Sequence, residues 1–503
     1  MQQLTGLDEM FASVDTATAN AVMGGLIVFE RPTDPAAGSA ERMIERITDR
    51  LDDLPPFRWT LARVPLAIGK DYWAEAADVD VADHVHEIAL QDADDRALAA
   101  WVAQTMETGL RTDRPLWELY VVTGLQGGRL AHLLRVHHKL IDGTTIPTVL
   151  DILSDNPSAD NGFPSSTPSV ESAGRLTMLG RGLVGVAANP LRMAKLQASF
   201  ARYLVGRVPT EGLLAPAAFA GRILPGPFGA PARAAVNLQQ RITGKPAVAP
   251  VLPPLRKPRT PFNGKIEAER AYAFADLPLA DFKAVGKAFG ITLNDAVVAV
   301  CAGAVRRYLQ DNGGVPNKPL VVCIPASLRS GAEKQPWANH VSMFFAELPT
   351  HLDDPEARMR AVHASLQQSK ANFDALPTHL IRDASRLLPR GIFTASQQVL
   401  SRVPSWVPAS PYNVVVSNVR GPSTVVEVAG ARMAGYWPAA FLTAGSGLNI
   451  TLQSYLDRVD FGFMGAANLT GDLWDLPGYM ADELAALTAL VEANRSAPEL
   501  AAN

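Results

Sequence analysis

Apolar residues recur along this chain with two periods, and each period predicts a different kind of element. The run Gly25-Leu26-Ile27-Val28-Phe29 is apolar throughout, which predicts a strand buried on both faces. Met43, Ile44, Ile47 and Leu51 follow Ser39 at helical spacing. A serine there can cap a helix from Ala40 to about Leu54, which Pro55-Pro56 ends. Asp94 to Gly109 is a second amphipathic helix, with Leu98, Trp101, Val102 and Met106 on one face. Arg114–Val122 and Arg129–Val136 read as strands joined by the turn Gln126-Gly127-Gly128, and Thr144–Leu153 reads as a helix. Pro115 opens the first of these strands, a position where its missing N–H is tolerated. Trp117 beside this hairpin reads as core, with a substrate platform as the alternative.

The same mixture returns after residue 265. Arg270–Phe274, Pro319–Ile324, Asn339–Leu348, Asn413–Ser417 and the hairpin Leu448–Tyr455 with Arg458–Gly462 read as strands. Helices are expected at Leu279–Phe289, from Ile291 onward, at Asp354–Asn372 and at Leu476–Asn494. Gly290 is a suitable C-cap. Thr292 or Asn294 can cap the helix that follows. The sharper reading makes Asn294 a donor to an oxyanion. Helices and buried strands in both halves make the class α/β, with a sheet in each half.

Size and charge narrow the picture. A chain of 503 residues exceeds one ordinary core, so two domains of about 200 residues are expected. The segments are 1–155, a linker at 156–265, and 266–503. The net charge of −4 gives no global field for nucleic acid. No apolar run reaches the ~20 residues that span a bilayer, and Ala296–Val305 is about half that. Acidic Asp8 and Glu9 stand where a basic-then-apolar leader would be, so a cytoplasmic location is expected. Cys301 and Cys323 lie in apolar runs and read as buried thiols of a reducing compartment.

The linker changes the picture again. Residues 156–174 are rich in Ser, Pro, Gly and Asn and read as a mobile loop. Between 175 and 265 there are fourteen basic residues, from Arg175 to Lys265, and one acidic residue, Glu211. Short apolar helical stretches such as Leu191–Val205 lie between them. Basic charge beside an apolar face suits a membrane surface. The alternative is an inter-domain linker whose helices pack on the protein. Sparse aromatics argue against a nucleic-acid patch. Pro246–Pro261 is a proline-rich bridge that marks the domain boundary.

The candidate chemistry lies in Val136-His137-His138-Lys139-Leu140-Ile141-Asp142-Gly143. This stretch falls where a strand ends and a helix begins. Adjacent residues leaving a strand point in opposite directions, so His137 and His138 have different tasks. His138 is the expected general base, which needs one free and fixed ring nitrogen. Asp142 can hold the local geometry, with an arginine as a candidate partner. Gly143 permits a tight turn or a close approach of substrate. Two other readings remain open: a hydrogen-bonded structural histidine, and a metal site of His137, His138 and Asp142. The second lacks the i, i+4 spacing of helical zinc ligands, so no metal is expected.

These residues resemble the bacterial wax ester synthase/acyl-CoA:diacylglycerol acyltransferase family of the CoA-dependent acyltransferases. The likeness runs from Leu4 to the last helix. It includes Leu7 to Phe11, Pro115-Leu116-Trp117, His137 to Gly143, Asn263-Gly264, Asn294-Asp295, and Pro325 with Ser327-Leu328-Arg329. It continues through Asn339 with Ser342, Asn418 to Pro422, and Leu448-Asn449-Ile450-Thr451. There are three departures. Val22-Met23-Gly24 lacks the family's His, Ala338 precedes Asn339 where the family has Gly, and no acid follows Phe461-Gly462 until Asp472. They fall on pocket contacts and acceptor preference.

The resemblance implies two chloramphenicol-acetyltransferase-like subdomains in a pseudo-dimer, joined by a long linker, with a tunnel between them. It implies acyl-CoA as co-substrate, no bound cofactor, and diacylglycerol or a fatty alcohol as acceptor. It also implies peripheral association with membrane or lipid droplets. His138 would act without an acyl-enzyme, and no GxSxG element is present. Ser327, Arg329 and Arg420 are candidates for CoA contacts, with structural roles the alternative. Two other functions stay open: acyl transfer from a carrier protein, and a non-catalytic lipid-binding homologue.

Overall fold

The computed structural model of the chain describes residues 18–65, 70–158, 257–327, 339–374 and 410–501. It also describes positions 2–5, 8, 11, 14–16, 177, 180, 183, 195, 199 and 337. The basic linker and the loop before it therefore lie almost wholly outside the described residues.

Fifteen strands are described. In the first half they are β1 (Gln2–Gln3), β2 (Val22–Phe29), β3 (Trp59–Ala62), β4 (Tyr72–Glu75), β5 (Val85–Ala93), β6 (Trp117–Leu125) and β7 (Leu130–His137). In the second they are β8 (Arg270–Pro278), β9 (Leu320–Ser327), β10 (Val341–Leu348), β11 (Val414–Val419), β12 (Glu427–Val428), β13 (Ala431–Ala439), β14 (Leu448–Tyr455) and β15 (Arg458–Ala466). They form two six-stranded sheets, ordered β12-β13-β2-β7-β6-β5 and β10-β9-β11-β14-β15-β8, and a small sheet β1-β4-β3. Both large sheets are mixed. β5 and β6 are parallel in the first, and β11 is parallel to β9 and β14 in the second.

The local expectations largely match. Every residue of β2 is buried. Ser39 caps the helix Ala40–Asp49 by accepting from the Arg42 N–H. Asp94 caps Asp95–Met106 in the same way through Ala97. The turn 126–128 works because Gly127 and Gly128 adopt φ of 73° and 68°. The first strand of that hairpin begins at Trp117 and leaves Pro115 outside it. Trp117 is buried between Phe57 and His84, with ring centroids 4.5 and 4.3 Å away, so the core reading holds.

The sheets do not follow the sequence segments. β12 and β13 come from the second half, yet β13 pairs antiparallel with β2 and completes the first sheet. β15 holds β13 from the other side. The Tyr436 N–H donates to Asp460 Oδ2 at 2.9 Å, and Arg458 Nη2 donates to the Ala434 carbonyl at 2.7 Å. Gly462 permits this approach, because a Cβ there would lie 1.7 Å from the Pro438 carbonyl oxygen.

One apolar cluster spans both halves. It joins Leu26, Val102 and Met106 to Phe274, Trp437 and Met464. Burying each such side chain contributes roughly 1.5–3 kcal/mol, so the halves are held by core packing. The stretch after Phe461-Gly462 lies in this cluster, which explains why Met464 and Ala466 stand where an acid was expected.

Helices Leu279–Phe289, Leu293–Asp311, Pro355–Asp374 and Asp475–Ala501 pack with the second sheet. Ala296–Val305 is buried at every position, so its apolar run is core. Among the described residues no single helix is long and apolar enough to cross a membrane.

Candidate active site

β7 delivers the two histidines to opposite sides. The Lys139 N–H donates to His137 Nδ1 at 3.1 Å, so Nε2 carries the ring proton and donates to the Asp15 carboxylate at 2.9 Å. Asp15 also accepts from the Ala21 N–H at 3.0 Å. His137 therefore ties the end of β7 to the segment before β2. Burial holds its pKa down, helped by the Lys139 charge and opposed by Asp15. Burial raises the Asp15 carboxyl, but His137, the Ala21 N–H and Lys139 together bring it below the usual value.

His138 points the other way, into a cavity of about 470 Å³ lined from both halves of the chain. Phe11 stacks on the imidazole, with centroids 3.9 Å apart and planes inclined by 26°. Phe441 meets it edge-on at 5.4 Å. Burial pushes the His138 pKa down to about 4, against the opposing charge of Asp142. The ring is therefore neutral at pH 7. Its Nδ1 is buried with no hydrogen-bond partner among the described residues.

Asp142 is fully buried. Its Oδ1 accepts from Thr144 Oγ1 at 2.6 Å and Thr145 Oγ1 at 3.0 Å, and its Oδ2 from the His340 N–H at 3.1 Å. These bonds fix the turn 143–145 and dock it against the start of β10. Among the described residues no three His, Cys, Asp or Glu side chains come together as a metal site.

Gly143 opens the tight turn 143–145 and lines the cavity. Its φ is not in the left-handed region. Among the described residues a Cβ there would meet only Val419, at 3.9 Å. The small residue leaves room at the cavity wall.

The position of Asn294 also corrects an expectation. Thr292, not Asn294, caps the helix Leu293–Asp311, in a capping box with Asp295. Asn294 Oδ1 accepts from Asn418 Nδ2 at 3.3 Å. Asn418 lines the cavity and Asn294 does not, so Asn294 lacks the direct access that an oxyanion donor needs.

Along β10, Val341, Ser342, Met343 and Phe345 line the cavity. Ser327 lines it at the end of β9. Arg420 is exposed, one residue past Val419 of the cavity wall. Arg329 lies outside the described residues. Met23, at the departure from the family's His, is also a wall residue. Sequence reasoning gave no role to Phe11, Phe441 or Asn339, which surround His138. The three-residue spacing of Asp8 and Phe11 was the available signal for the first.

Comparison with known proteins agrees with this architecture. The model of the wax ester synthase/diacylglycerol acyltransferase catalytic domain matches residues 4–297, and that of the WS/DGAT C-terminal domain matches 337–488. The chain is 30% identical over 480 residues to the Mycobacterium tuberculosis protein named probable diacylglycerol O-acyltransferase tgs2, covering 95% of this chain and 96% of that one. It is 26% identical over 490 residues to the O-acyltransferase WSD of Acinetobacter baylyi, covering 96% of each. Among solved structures, the wax ester synthase/diacylglycerol acyltransferase from Marinobacter aquaeolei VT8 has a TM-score of 0.64 at 22% identity, covering 98% of this chain and 100% of that one. The first condensation domain of the CDA synthetase has a TM-score of 0.51 at 15% identity, covering 96% of each. Both share the two-part mixed α/β fold.

Proposed function

The chain belongs to the wax ester synthase/diacylglycerol acyltransferase family, and from that premise we propose that it transfers the acyl group of an acyl-CoA to a lipid hydroxyl. The acceptor is diacylglycerol, a long-chain alcohol, or both. The observation that carries this reading is a neutral imidazole, His138, at an apolar cavity lined by both halves of the chain.

His138 is the general base. Its Nε2 takes the acceptor hydroxyl proton as that oxygen bonds to the thioester carbonyl carbon. The tetrahedral intermediate then collapses, the C–S bond breaks, and the proton passes to the CoA sulfur. The ester and free CoA account for every atom. Asp142 favours the imidazolium through its charge and holds the loop. Cys323 lines the same cavity, but burial pushes its thiol up to about 12. It stays protonated, which supports direct transfer without an acyl-cysteine.

β9 and β11 are parallel, so Ser327 and Arg420 belong to corresponding strand ends. That arrangement supports a CoA-binding role for them, with Arg329 alongside in sequence. Arg420→Ala should then raise KM for acyl-CoA and leave kcat near wild type. The basic segment 175–265 supports association with an anionic lipid surface. Co-sedimentation should favour anionic over zwitterionic vesicles and weaken with salt.

The test is release of free CoA thiol from palmitoyl-CoA, with diacylglycerol and hexadecanol supplied separately. Release should depend on an acceptor and fall about 10²–10⁴-fold in His138→Ala. Full activity in His138→Ala would overturn the mechanism. Acceptor-independent silence in a folded sample would overturn the activity.

A further inference from the structure

His138 is enclosed by two phenyl rings that also meet each other. Phe11 and Phe441 stand 6.0 Å apart at 88°, and both contact the imidazole. Phe11 belongs to a segment tied to the histidine's own backbone. Asn339 Nδ2 donates to Asp8 Oδ1 at 3.0 Å and also to the His138 carbonyl. Phe441 belongs to the loop between β13 and β14, and two residues of β14 hold it.

Asn449 and Thr451 are buried and line the cavity, while Ile450 and Leu452 face the core on the other side of the strand. Asn449 Nδ2 donates to the Phe441 carbonyl at 3.1 Å, and Thr451 Oγ1 donates to Asn449 Oδ1 at 2.8 Å. A carbonyl can only accept, so the amide nitrogen must face Phe441. The amide oxygen then faces Thr451, whose hydroxyl must donate. Further along the loop, the Gly445 carbonyl accepts from Lys257 Nζ at 3.1 Å and from Asn263 Nδ2 at 3.0 Å. The backbone that carries Phe441 is therefore pinned at two places, and the pin next to the ring is Asn449.

A general base beside a thioester activates any hydroxyl that reaches it, including that of water. Water oxygen would bond to the carbonyl carbon, the C–S bond would break, and the proton would pass through His138 to the CoA sulfur. The products would be a fatty acid and free CoA, and the acceptor would receive nothing. A water needs about two to four polar partners to stay in a buried site, and a phenyl ring supplies none on the side it covers. We propose that Asn449 and Thr451 are positioning residues that hold Phe441 over His138 and so select a lipid hydroxyl over water. The proposal deepens the proposed acyl transfer and rests on that reading for its kinetic part.

The experiment uses the full chain and palmitoyl-CoA, with and without hexadecanol, and measures free thiol, palmitate and ester. In the wild type, release should depend on the acceptor. In Asn449→Ala and Phe441→Ala, the ratio of palmitate to ester should rise about 5–10-fold, the factor that one hydrogen bond is worth. The double variant should match Phe441→Ala, because Asn449 acts through that ring. Thr451→Ser keeps the donor and should behave as wild type, and Thr451→Val should lie between. An unchanged ratio in folded Asn449→Ala overturns the proposal, as does a double variant whose effect is the product of the two. If no acceptor supports ester formation, the proposed activity falls, and a second readout decides the positioning role. Exchange of the His138 ring C–H with deuterated water is followed by NMR, with His138→Ala assigning the signal among nine histidines. It should quicken in Asn449→Ala and Phe441→Ala but not in Thr451→Ser, and an unchanged rate overturns the proposal.

Discussion

Phe11 lies flat on His138, with ring centroids 3.9 Å apart, so a residue near the start of the chain shields the proposed base from water. That contact is part of the burial that holds the imidazole pKa near 4. Phe11→Ala should admit water to the ring. Burial lowers a histidine pKa, so relief of burial raises it toward 6.5. The acid limb of the pH–rate profile should therefore move to higher pH. A limb that stays in place would remove Phe11 from this role.

His137 and His138 should separate cleanly under mutation. His137 is engaged with Asp15 and Lys139 on the side away from the cavity. His137→Ala should cost about 1–3 kcal/mol of stability, the usual penalty for orphaning buried hydrogen-bond partners. Its folded fraction should keep far more activity than His138→Ala. Thermal melts and thiol release on the same samples compare the two.

Stability should depend on the buried imidazoles below neutral pH. His132 and His138 are each held down to about 4, chiefly by burial. Below 6.5 the unfolded chain binds protons that the folded chain refuses, so stability falls as pH drops from about 6.5 to 4. Asp460 acts in the opposite sense, because burial raises its carboxyl to about 7. Its contribution therefore improves as pH falls from 7 toward the ordinary carboxyl value. His138→Ala should flatten the fall by roughly 3 kcal/mol at most. Denaturant unfolding at several pH values measures the difference, and an unchanged slope would contradict the buried neutral state.

Gly143→Val should leave the fold intact and impair turnover. Among the described residues only Val419 approaches the position where a side chain would begin, so the backbone tolerates one. The added methyls would occupy the cavity at its wall. Near-wild-type melting with reduced activity is the expected pair of results, and full activity would show that this part of the cavity is not used.

Asp460→Ala should loosen the crossover strand. The carboxylate accepts from the Tyr436 N–H and pairs with Arg458 at 3.2 Å. Its loss leaves the buried Tyr436 N–H without its acceptor, at a cost of about 1–3 kcal/mol. Chemical denaturation gives the value directly.

Much of this protein is legible in its sequence. Local patterns carry the elements: the all-apolar β2, the capped helices behind Ser39 and Asp94, the Gly127-Gly128 turn that feeds His138. Motif spacing carries the family. Those signals are short-range, because periodicity reports which face is buried and caps report where a helix starts. They do not say which distant element covers a face. Only the tertiary structure decided that β13 completes the first sheet, since its apolar pattern fits any sheet edge. It alone set Asn294 away from the cavity, because one helical position decides which way a side chain points. It alone brought Asp8, Phe11 and Asn339 around His138, because contacts between segments hundreds of residues apart leave no periodic trace in either one.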